Sequence, residues 1–203
     1  RRKVAEALVG GKALRIVGLF SFPVGVGLAL IARDAFTVFY GTQNLAGIQT
    51  MEVISLAGAV TGIGFATGDL LMAMNRPGVL LRLNLAMVPL MLVSMWFVAP
   101  HGIVWVAVVH LCIQIVFVGV RQLIVDRIIS VRTAQALACL VPGLVVTFGV
   151  VALALPVRLL SSEGFVSLVA ILAAGTLGAV AALAIYAPAR RELFDLISKV
   201  RGG

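Results

Sequence analysis

Charge is scarce in this chain. Only 12% of its 203 residues are Asp, Glu, Lys or Arg, against roughly 25% in a soluble domain. With 62% hydrophobic residues and a mean hydropathy of +1.15, there is too little polar surface to cover a soluble core. Cysteine is nearly absent too. Cys112 and Cys139 both fall in apolar stretches, with no second Cys or His at ligand spacing. Buried single cysteines behave as small apolar residues, so neither a disulfide nor a metal site is expected. Catalytic patterns are also missing: there is no GxSxG, Walker loop, HExxH or DxD-like carboxylate pair. His101 and His110 are nine apart and do not share a helical face. The chain is not expected to be an enzyme.

What is present is six long apolar stretches, at about 16–32, 46–70, 80–99, 102–120, 134–155 and 165–187. A hydrocarbon core ~30 Å thick needs ~20 helical residues at 1.5 Å each, so each stretch is about one span long. The expected fold class is an all-α polytopic membrane protein with six transmembrane helices. Residues 1–15 form a cytoplasmic amphipathic connection, 16–187 the membrane unit and 188–203 a cytoplasmic tail. The tail, PARRELFDLISKVRGG, suits a short amphipathic helix on the membrane surface. Gly10–Gly11 is expected to interrupt any helix before the first span. The chain does not begin with Met, and its first 15 residues are unlike a signal peptide. It is expected to be either a processed product or the carboxyl-terminal part of a longer protein.

The basic residues orient the spans. Of 16 Lys and Arg, 14 fall on one side: at the amino end, in the second loop (Arg76, Arg82), in the fourth (Arg121, Arg127, Arg132) and in the tail. Only Arg33 and Arg158 fall on the other. By the positive-inside rule the rich side is cytoplasmic and holds both termini. A pI near 10.8 suggests nucleic-acid binding at first sight. Here the cations sit in short loops beside anionic head groups, without interleaved aromatics, so no nucleic-acid partner is expected.

Proline and glycine punctuate the spans. Pro23, Pro89 and Pro142 are expected to kink their helices. Gly58/Gly62 and Gly64/Gly68 have the four-residue spacing of close helix packing, with a hinge as the alternative.

Polar groups inside the spans mark where chemistry would sit. Glu52 and Asp69 lie ~25 Å apart along one helix, less than the hydrocarbon thickness, so both cannot clear it. Glu52, with Gln49 one turn before it, either marks the outer interface or faces a cavity. His110 sits near a midplane with Gln114 one turn on, on the same face. Either they look into a cavity or His110 is a neutral side chain bonded to a neighbouring helix. Arg33, next to Asp34, either is offset by that carboxylate or meets a phosphate at the cavity mouth. Arg82 snorkels to the inner head groups.

Three stretches resemble a known family, the polysaccharide and lipid-linked oligosaccharide flippases of the multidrug/oligosaccharidyl-lipid/polysaccharide superfamily. They are Pro23-Val-Gly-Val-Gly27-Leu28, then the run from Leu70 to Arg76 after an outer Tyr40–Gly41, and Gly102-Ile-Val-Trp105-Val-Ala107. The likeness covers residues 16–125. Trp105 departs from the family's usual glycine. The resemblance implies one lobe of a two-lobed, 12-helix transporter, the carboxyl-terminal half, in the bacterial plasma membrane. It would move a lipid-linked oligosaccharide or polysaccharide precursor from inner to outer leaflet by alternating access. Its partners would be that lipid-linked sugar, membrane lipids and an amino-terminal lobe. No cofactor is implied, and a coupling ion is left unnamed. Gln49, Glu52, His110, Gln114 and Arg33 are the cavity candidates. A cation-coupled drug exporter of the same superfamily and a non-transporting scaffold subunit of an envelope-polysaccharide assembly complex are the alternatives.

Overall fold

A computed structural model describes residues 2–41, 45–129, 138–160 and 165–185. Among these are six α-helices: α1 (Arg2–Tyr40), α2 (Leu45–Ala73), α3 (Pro77–Val98), α4 (Ile103–Ile129), α5 (Val141–Leu160) and α6 (Phe165–Ile185). All six are long and apolar enough to cross a membrane, consistent with a polytopic membrane protein. Helices suit that setting because every interior backbone group is paired within its own segment. Hydroxyls follow the same rule: Thr50, Ser55, Thr61, Ser94 and Thr147 each donate to the carbonyl four residues back.

Helix ends differ from the apolar stretches in three places. Gly10–Gly11 does not break α1, which runs through both residues. Gly11 is packed there, since a Cβ on it would lie 3.6 Å from Cys139 Sγ. Helix α4 continues past 120 to Ile129, carrying Arg121 and Arg127 within the helix rather than in a loop. Helix α5 starts at Val141, later than the expected 134. The expected tail helix at 188–203 lies outside the described residues.

The prolines divide accordingly. Pro23 and Pro89 lie inside α1 and α3, where the missing N–H deprives the Leu19 and Leu85 carbonyls of their helical donors. Pro142 is the second residue of α5, where its N–H would have had no helical acceptor, so it starts the helix instead of kinking it. Pro156 is the proline inside α5. The turn after α2 is built by Asn75 at φ 55°: Arg76 N donates to Leu71 O at 3.0 Å and Asn75 N to Met72 O at 2.9 Å. That pair of bonds is a Schellman closure, and Pro77 then opens α3.

Helix α1 packs on α2, α5 and α6, and α4 packs on α2 and touches α1 through Leu14 and Val118. Glycine sets the closest approaches. A Cβ on Gly25 would sit 2.6 Å from Ala59 Cβ, and one on Gly149 would sit 2.7 Å from Ala182 Cβ and press on Gly178 O. Gly143 meets the Gly18 backbone, and Gly62 meets Ser21. Small residues let helices approach where lipid offers no hydrophobic drive for association. Gly64 and Gly68 both face α4, but Gly58 has nothing within 4 Å, so Gly58 and Gly62 are not a packing pair. Helix α3 buries no residue and presents Trp96 and Phe97 outward, as a lipid-facing helix would.

Candidate functional site

The contacts of glycine and small residues fix how the helices are aligned. Gly25 faces Ala59 and Gly62 faces Ser21, so α1 and α2 run antiparallel. Gly18 meets Gly143 and Leu19 packs with Val146, so α1 and α5 run parallel. Continuing the first alignment for about two turns and the second for about four brings Arg33 level with Arg158 and within about one turn of Glu52.

At that level a charged layer crosses the apolar bundle. Arg158 Nη2 donates to Glu52 Oε1 at 3.1 Å, joining α5 to α2. The side chains are 26% and 35% exposed, so the pair is partly sheltered. Arg33 is exposed, whereas Asp34, about 100° further round the helix, is buried at 3%. Gln49 lies one turn before Glu52 and is exposed. Two cations and two carboxylates therefore gather within about two turns at one end of the bundle.

His110 and Gln114 belong to a different group. Gly64 faces Val118 and Leu71 packs with Val125, so α2 and α4 run parallel, and His110 lies about one turn deeper than Glu52. His110, Gln114 and Arg121 are spaced by four and seven residues and share one face of α4. Arg121 shows where that face points: Nη1 donates to Gly64 O at 2.8 Å and Nη2 to Asn84 Oδ1 at 3.0 Å. The stripe thus looks toward the seam of α2 with α3. Both His110 and Gln114 are half-buried, and among the described residues neither side chain makes a hydrogen bond. The anticipated bond from His110 to a neighbouring helix is therefore not found among them.

Of the sequence candidates, the fold brings Glu52, Arg33 and Gln49 to one layer and leaves His110 and Gln114 on another face. The bridging partner, Arg158, was noticeable in the sequence only as an exception to the charge bias. An acid and a base that both depart from the pattern on the same side are natural partners, and that was the available signal. The Arg121–Asn84 bond had no such signal, because Arg121 reads as an ordinary positive residue at a span end.

No family model matches the chain, and no solved structure does. The chain is similar to an uncharacterized membrane protein in the cps region of Klebsiella pneumoniae, 27% identical over 86 residues. The match covers 42% of this chain and 18% of that protein, so the matched segment is less than a fifth of the relative's length.

Proposed function

We propose that this chain is one lobe of a two-lobed transporter that moves a lipid-linked oligosaccharide or polysaccharide precursor from the inner to the outer leaflet of a bacterial plasma membrane. The charged layer of Glu52, Arg158 and Arg33 is the observation that carries it. A sugar diphosphate crossing ~30 Å of hydrocarbon must exchange water for protein hydrogen bonds. A partly open ion-paired layer near the end of three apolar helices offers both donors and acceptors at the point of exit. Arg33 is the exposed cation for the phosphate, and Glu52 with Gln49 accepts sugar hydroxyls. His110 and Gln114, one to two turns deeper, provide polar groups for an earlier stage of the passage.

Two further facts support this. The relative is a membrane protein in the cps region, the capsule-polysaccharide region, which is where a precursor transporter would be encoded. That relative is also several times longer than the matched segment, leaving room for a second lobe. In this proposal both ends of the chain are cytoplasmic and the Glu52–Arg158 layer is on the outer side.

A second function, cation-coupled export of a drug-like molecule, is favoured by one observation. Asp34 is a buried carboxylate within α1, and coupling cations are bound by such groups. Reconstituting the whole protein in vesicles separates the two. Appearance of labelled polyprenyl-linked sugar in the outer leaflet, with no efflux of cationic dyes, is expected. Dye efflux without movement of the lipid-linked sugar would replace the first function by the second.

A further inference from the structure

An ionisable group stands apart from the charged layer, near the opposite end of α4. Asp126 is 6% exposed and sits beside Val125 at 2%, with Ile129 at 7% nearly one turn on. Both apolar neighbours belong to the cluster in which α4 packs against the end of α2. One oxygen of Asp126 is satisfied, since Gln122 Nε2 donates to Oδ1 at 2.8 Å. Asp126 Oδ2 is buried with no hydrogen-bond partner, and so is Gln122 Oε1, the acceptor end of the same amide. Two adjoining side chains therefore hold two buried acceptor oxygens that no donor reaches.

Among the described residues, nearby cations do not supply the missing charge. Arg121, about one and a half turns before, is turned to Gly64 O and Asn84. Arg127 is exposed. No ion pair to Asp126 is found among the described residues. An uncompensated carboxylate inside an apolar bundle is costly, and an unfilled buried acceptor adds to that cost. With the Gln122 NH2 donating to Asp126 Oδ1, the amide oxygen is left as an acceptor. Among the described residues no three His, Cys, Asp or Glu side chains gather, so a transition-metal site is not what the residues offer. Oxygen-only donors of this kind suit a hard cation.

From this pair of acceptors we infer that Asp126 and Gln122 form a binding site for a small monovalent metal cation, of which Na+ is the test case. The carboxylate supplies the charge, and Asp126 Oδ2 and Gln122 Oε1 are the first ligands. The site stands on α4, the helix that also carries His110, Gln114 and Arg121. Occupancy would therefore bias the packing of α4 on α2, whatever the protein transports.

Binding of labelled Na+ to the whole protein in detergent, together with thermal unfolding at constant ionic strength, tests this. The expected result is saturable Na+ binding and a Tm that rises about 3 °C or more for each tenfold increase in Na+ above half-saturation. Choline should give no such rise. Asp126→Asn should abolish both responses, and Gln122→Leu should weaken Na+ binding at least about tenfold, as loss of one ligand interaction of about 1.4 kcal/mol would. If Asp126→Asn does not fold, Gln122→Leu alone decides the matter. Absence of saturable Na+ binding in the unaltered protein, or unchanged binding in the variants, would overturn the assignment. Neither result depends on which molecule is transported.

Discussion

Glu52 and Arg158 lie 106 residues apart and meet at 3.1 Å, joining α2 to α5 across one end of the bundle. Each is an exception to its surroundings: Glu52 is an acid within an apolar helix, and Arg158 a base on the side expected to be poor in them. Together they make a pair whose formation depends on α1 holding both helices in register.

The first prediction follows from that pairing. Glu52→Gln and Arg158→Gln should each lower stability by about 1 kcal/mol, a modest figure because both side chains remain partly exposed. The exchange Glu52→Arg with Arg158→Glu should recover most of the loss. Unfolding of the purified protein in detergent measures this, and an exchange variant no better than the singles would show that the pair does not hold α2 to α5.

Helix contact through glycine gives a sharper contrast. Gly149→Leu should cost roughly 1–3 kcal/mol or more, since even a Cβ there presses on Gly178 O and Ala182. Gly58→Ala, with open space around it, should change stability little or raise it by up to about 1 kcal/mol through helix propensity. Equal thermal stability of the two variants would contradict the helix alignment described above.

Arg121 and Asn84 should be coupled. Arg121→Ala and Asn84→Ala each remove the α3–α4 bond, so the double variant should lose less than the sum of the singles, by about 0.5–2 kcal/mol. Strict additivity would mean that the bond contributes nothing, and that α3 is held by its apolar contacts alone.

His110→Ala combined with Gln114→Ala should reduce export of the lipid-linked sugar severalfold while leaving the amount of protein in the membrane unchanged. Full export by this variant would remove the α4 stripe from the transport path. Its place beside the α2–α3 seam would then be a matter of packing only.

Orientation is open to direct labelling. With Cys112 and Cys139 replaced by alanine, Ser161→Cys should react with a membrane-impermeant thiol reagent added outside cells, and Asn75→Cys only after permeabilisation. The reverse pattern would invert the topology and move the Glu52–Arg158 layer to the cytoplasmic side.

Six spans were legible in the sequence because that property is local: hydrocarbon requires about 20 apolar residues in a row, whatever packs beside them. The Asn75–Arg76–Pro77 turn is local in the same way, since a left-handed Asn and a following proline act on their own backbone. Pro142 was misplaced because its effect depends on where the helix starts, and the apolar run extends upstream of Val141 without marking that point. Asp126 carries no such local signal: an acid beyond an apolar stretch has the pattern of a solvated loop, and only the continuation of α4 through it places it in a helix.

The sequence by itself therefore determined the class of protein, the number of apolar spans and a bias of basic residues to one side of them. These depend on each segment's own hydropathy and on the charges at its ends. Only the tertiary structure decided that Glu52 meets Arg158, that Arg33 joins their level, and that His110 and Gln114 look elsewhere. Those outcomes depend on the rotation and register of whole helices. They are set by contacts such as Gly18 with Gly143 and Gly25 with Ala59, between residues far apart in the chain.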